Sequence, residues 1–136
     1  MQGELKGHVY PDFCFLLKWC QANNVSVNIY SSGSIQAQKL LFGHTVDGDL
    51  LQYINKYFDT TIGSKKDKES YERIAASMGV SPRDIIFVSD LEDELVAARD
   101  AGIGCPVMSI RPGNAPLTTI GKSFPAIYSL LQLCGV

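Results

Sequence analysis

Short β-branched runs alternate with longer segments of helical apolar spacing along this chain, and that alternation constrains the fold most. The clearest run is Asp84-Ile85-Ile86-Phe87-Val88, continuously apolar after its first residue, as expected for a strand covered on both faces. Val25 to Tyr30 alternates apolar and polar positions, Val107 to Ile110 is a further strand, and Tyr57 to Thr60 a short one. Between them, Pro11 and Asp12 open a helix carrying Phe13, Leu16, Leu17 and Cys20, which Asn23-Asn24 closes. Ile35 to Phe42 is a helix closed by Gly43, Lys68 to Met78 one closed by Gly79, and Glu94 to Ala101 one closed by Gly102. Asp49 to Ile54 gives a helical turn, and the apolar tail from Phe124 to Leu133 holds one more short strand and a turn. Strands alternating with helices of about a dozen residues predict βαβ units, hence an α/β three-layer sandwich around a parallel, Rossmann-like sheet.

With 136 residues the expectation is a single domain spanning 1–136. At 46% hydrophobic and 19% charged residues the composition supports a packed core and excludes disorder. Twelve basic against fourteen acidic side chains leave a net charge of −2, without the basic face that nucleic-acid binding needs. No apolar run approaches the roughly 18–20 residues that span a bilayer, and MQGELKGHVYPD lacks the apolar segment of a signal peptide. The expectation is a soluble cytoplasmic protein, nuclear as well if eukaryotic, monomeric, with a small-molecule partner and neither nucleic acid nor membrane. Cys14, Cys20, Cys105 and Cys134 form no CxxC pair, so they are expected as free, partly buried thiols.

In parallel sheets ligands collect at the carboxyl ends of the strands. After Tyr30 stand Ser31, Ser32 and Gly33, hydroxyls and backbone N–H groups before a helix, a setting that suits an oxyanion or else a plain N-cap. After Val88 stands Asp90 with Glu94 four residues on; the pair suits a hard cation such as Mg2+, or an N-cap followed by an acidic first turn. Gly63-Ser64-Lys65-Lys66-Asp67 leads into a helix, and its Lys65 either reaches a phosphate as a point cation or is simply solvated. The order of hydroxyl, lysine and acid says more than any one of the three.

The stretch Tyr30-Ser31-Ser32-Gly33-Ser34 through Gln36-Ala37-Gln38-Lys39-Leu40-Leu41-Phe42-Gly43-His44 resembles the haloacid dehalogenase (HAD) superfamily of phosphatases, and more narrowly its enolase-phosphatase E1 family. Phe58-Asp59-Thr60, Ile62-Gly63-Ser64-Lys65, Glu69-Ser70-Tyr71, Ile86-Phe87-Val88-Ser89-Asp90 and Arg111-Pro112-Gly113-Asn114 with Leu117 extend the resemblance over essentially the whole chain. The resemblance implies a HAD core and a two-step reaction of methionine salvage. A diketo methylthiopentyl phosphate is enolised, then hydrolysed to an acireductone with Mg2+ bound. It places Ser31, Ser32 and Lys65 in substrate binding, with Gly33 supporting the phosphate loop, and Asp90 and Glu94 at the metal.

The same resemblance implies a DxDxT/V motif whose leading Asp attacks phosphorus and whose second acid works as general acid/base. That motif, on the family's first and central strand, has no counterpart here, and the chain starts near the end of the family's cap. Asp47-Gly48-Asp49 has the spacing, but no apolar strand precedes it and Leu51 stands at the fifth position. A nucleophile is therefore not assigned, and His44 is expected as a loop or packing histidine. Phosphate release by this chain is expected to be negligible.

Overall fold

The structure, a computed structural model, describes residues 11–43, 50–110 and 121–134. It has the expected α/β character, with every strand pair parallel. The chain gathers into two compact units, residues 1–60 with 130–136, and residues 61–129.

In the first unit, α1 (Pro11–Ala22) leads to β1 (Asn28–Tyr30), α2 (Ile35–Gly43), a 3-10 turn (Leu51–Tyr53) and β2 (Lys56–Phe58). Asn24 adopts φ 59 while Val25 N–H donates to the Cys20 carbonyl at 2.8 Å, so α1 ends in a left-handed cap for which asparagine substitutes well. The expected strand from Val25 shortens to three residues. The register pairs only Asn28, Ile29 and Tyr30 with Lys56, Tyr57 and Phe58, and half-exposed Val25 has no strand beside it. The parallel pair is possible because α2 crosses over between its strands. Leu17, Phe42, Leu50 and Ile54 form the core, and the Phe13 and Phe42 rings sit 5.6 Å apart. Asp12 does more than offset the α1 dipole, because its Oδ2 accepts the Leu130 N–H at 2.8 Å and so caps the tail turn Leu130–Cys134. The four cysteines are free, as expected, and burial, then the neighbouring Cys134, pushes the Cys20 thiol above its ordinary value of 9.0.

In the second unit, α3 (Lys68–Met78), a 3-10 turn (Pro82–Asp84), β3 (Ile86–Ser89), α4 (Glu92–Asp100) and β4 (Cys105–Ser109) precede β5 (Ala126–Ile127). The sheet order is β3-β4-β5. Helix α3 stops where the sequence says it should, with Gly79 at φ 72 and its N–H on the Ala75 and Ala76 carbonyls. Its buried face is Tyr71, Ile74 and Ala75, while Leu95, Met108 and Phe124 form the core. The expectation of a strand covered on both faces fails at its start, since Ile86 is 59% exposed. An apolar sequence records a preference for burial, and the tertiary neighbours decide whether it is met. Among the described residues β1 pairs with β2 alone and β3 with β4 alone. No helix among the described residues is long and apolar enough to cross a membrane.

Candidate functional site

The hydroxyl turn is built within the first unit. Ser34 is the residue whose side chain caps α2: its Oγ accepts the Ala37 N–H at 3.1 Å, the usual N-cap bond to the third helical residue. The N-cap alternative for Ser31 and Ser32 therefore falls away. Ser31 Oγ instead accepts the Gly33 N–H at 3.2 Å, and its own N–H donates to the Phe58 carbonyl at 3.1 Å, anchoring the turn to the end of β2. Ser32 and Gly33 are exposed at the tip. The Ile35 N–H donates to Asp59 Oδ2 at 3.3 Å, so a carboxylate from the residue after β2 already sits at the positive end of α2. Sequence reading gave Asp59 no role beyond its place in Phe58-Asp59-Thr60.

The lysine and the strand-end acids belong to the second unit. Glu94 is 4% exposed and its Oε1 lies 3.2 Å from Lys65 Nζ. The same oxygen accepts a bond from Ser89 Oγ at 2.9 Å, and that hydroxyl accepts the Leu91 N–H at 3.0 Å. A buried carboxylate without partners is expensive, and here an ammonium and a hydroxyl satisfy it together. Three side chains of α3 hold the loop carrying Lys65. Ser70 Oγ donates to the Ser64 carbonyl at 2.6 Å, Tyr71 Oη to the Lys65 carbonyl at 2.6 Å, and Arg73 Nη1 to the Ile62 carbonyl at 2.9 Å.

Gly63 lets this loop close. Its φ is +140, and a Cβ there would run into Ser70 Oγ and crowd Arg73 Nη1 at 2.9 Å. Gly63→Ala should lower stability by about 2 kcal/mol in urea unfolding, through backbone strain and the displaced Ser70 bond. A change below about 0.5 kcal/mol would show that the loop adapts freely.

Asp90 lies exposed at the carboxyl end of β3, so the structure sets the two expected metal carboxylates in different surroundings. The N-cap alternative fails for Asp90 as well, because Leu91 occupies the N-cap position of α4; Glu92, Asp93 and Glu94 do form its acidic first turn. Glu94 does not fit the cation role well, with an ammonium 3.2 Å from its Oε1. Asp90 fits as a single oxygen ligand. Among the described residues no group of three or more His, Cys, Asp or Glu side chains could hold a metal ion. His44, Asp47, Asp49 and the 111–120 loop lie outside the described residues.

Parallel strands joined by helices, the kind of sheet that presents ligand positions at its carboxyl ends, define an open α/β class. The model of the haloacid dehalogenase-like hydrolases matches residues 2–102, and the chain belongs to that family. It is 46% identical over 132 residues to the enolase-phosphatase E1 of Drosophila mojavensis, covering 96% of this chain and 53% of that protein. Against the enolase-phosphatase E1 of Marinobacter nauticus it is 42% identical over 132 residues, 96% of this chain and 57% of the relative. The chain thus spans about half the length of these curated relatives. Among solved structures, the UTR4 protein of Saccharomyces cerevisiae superposes with a TM-score of 0.80 at 35% identity, over 96% of this chain and 59% of that one. A dehalogenase superposes with a TM-score of 0.79 at 23% identity, covering 93% and 55%, and shares the fold.

Proposed function

We propose that this chain carries phosphoryl-binding groups of an enolase-phosphatase of the E1 type, a phosphoric monoester hydrolase of methionine salvage. In that reading the substrate is 2,3-diketo-5-methylthiopentyl-1-phosphate and the products are the acireductone 1,2-dihydroxy-3-keto-5-methylthiopentene and phosphate. Similarity to E1 relatives over 96% of the chain supports the substrate class. The observation that carries the reading is Lys65, whose ammonium is held 3.2 Å from a buried carboxylate. An ammonium has three donors. Held in place by the carboxylate, this point cation offsets the charge of a phosphoryl group. Within the first unit, Ser31 and Ser32 offer hydroxyl donors to an oxyanion, and Gly33 lets backbone approach it without a side chain in the way.

Asp90 is the carboxylate we propose for Mg2+, and Glu94 is reassigned as the anchor of Lys65. Bound Mg2+ would neutralise phosphate charge and orient the phosphoryl group. Covalent phosphoryl transfer needs a carboxylate within roughly 3–3.5 Å of phosphorus, and the 136 residues contain no DxDxT/V motif to supply one. That absence favours a second reading for this chain taken alone, a phosphate-binding protein without turnover. Incubation with Mg2+ and an aryl or enol phosphate should therefore release no phosphate above background. Sustained release that Asp49→Asn abolishes in a folded protein would instead make Asp49 the nucleophile and overturn the assignment.

A further inference from the structure

Gln38 lies on α2 and is only 4% exposed, an unusual place for a primary amide. Its Nε2 donates at 2.9 Å to the Gly33 carbonyl and at 2.9 Å to the Phe58 carbonyl. Both amide hydrogens are thereby used. The reverse orientation would set Oε1 against two carbonyl oxygens, so the donor assignment follows from the network. Oε1 is buried and has no hydrogen-bond partner. A methionine would fill similar space without leaving an orphaned acceptor, so packing alone gives no reason for glutamine.

What the amide does is join pieces of backbone that meet at the hydroxyl turn. The Phe58 carbonyl receives both Gln38 Nε2 and the Ser31 N–H, while the Gly33 carbonyl belongs to the tip of the turn. In a trans peptide the N–H points opposite to the C=O. Drawing the Gly33 carbonyl towards the buried amide therefore directs the Ser34 N–H away from Gln38. We propose that Gln38 is a positioning residue that holds the Ser31–Ser34 turn in the conformation that receives a phosphoryl oxyanion. This rests on the phosphate-binding reading above and adds to it the group that sets the turn's geometry.

The test follows backbone amides of the full chain by NMR during titration with inorganic phosphate in Mg2+, for the wild type, Gln38→Met and Gln36→Met. Gln36 is exposed on the same helix and serves as the control. The Ser32, Gly33 and Ser34 amides should shift saturably in the wild type and in Q36M. In Q38M the same shifts should need about tenfold more phosphate, a difference of about 1.4 kcal/mol, while the α2 amides keep their dispersion. If Q38M does not fold, Gln38→Asn carries the test, since it keeps the amide but shortens its reach by one methylene. Phosphate affinity unchanged in the folded variant, even with a lowered melting temperature, would make Gln38 a merely structural clamp and overturn the proposal. Silence of these amides in the wild type would overturn the phosphate-binding reading and Gln38's role with it, an outcome distinct from a wild type that responds and a Q38M that matches it.

Discussion

Glu94→Leu should lower the stability of the chain by about 3 kcal/mol, the low end for breaking a buried ion pair. Leucine fills similar space but leaves the Lys65 ammonium and the Ser89 hydroxyl without the oxygen they share. The low end applies because the Lys65 side chain is 23% exposed, and water takes over part of its solvation. Glu94→Gln keeps an acceptor for Ser89 and loses only the charge, so its effect should be about half as large. Urea unfolding of both variants measures this. A Glu94→Leu protein within about 0.5 kcal/mol of the wild type would mean that the carboxylate does not anchor the lysine.

The second large effect is at Tyr71. Its ring is 2% exposed, lies edge-on to Phe87 at 4.9 Å between centroids, and its hydroxyl holds the Lys65 carbonyl. Tyr71→Ala removes a whole aromatic side chain from the interior of the second unit and should cost about 4 kcal/mol. Tyr71→Phe keeps the packing and loses the part-buried bond to the Lys65 carbonyl, about 1 kcal/mol. The comparison separates packing from positioning. In Tyr71→Phe the backbone amides of the loop from Gly63 to Asp67 should exchange with solvent faster while α3 stays protected. Equal losses for the two variants would place all of the effect in the hydroxyl.

Local signals were legible where one residue settles the matter. Gly79 in the left-handed region ends α3 at the expected residue, and Asn24 does the same for α1. Parallel pairing followed from strands separated by helices. Tertiary partners left no such mark. Nothing around Gln38 announces a buried amide, because its partners Gly33 and Phe58 are set by folding. Spacing put Asp90 and Glu94 on one turn, but burial gave them different environments, one open to solvent and one closed on Lys65. Ser31 and Ser34 are both hydroxyls before one helix, and only the bond to the Ala37 N–H marks Ser34 as the cap. Ile86 is the converse case, an apolar residue in an apolar run that finds no cover.

On the proposed reading, Lys65 carries the affinity of this chain for a phosphoryl group. Calorimetric titration of the wild type and of Lys65→Ala with vanadate in Mg2+ tests it most directly. Saturable heat at one site per chain in the wild type, with affinity weakened at least about tenfold in a folded Lys65→Ala, is the result expected. Absence of binding in the wild type, or equal affinity in the two proteins, would contradict it.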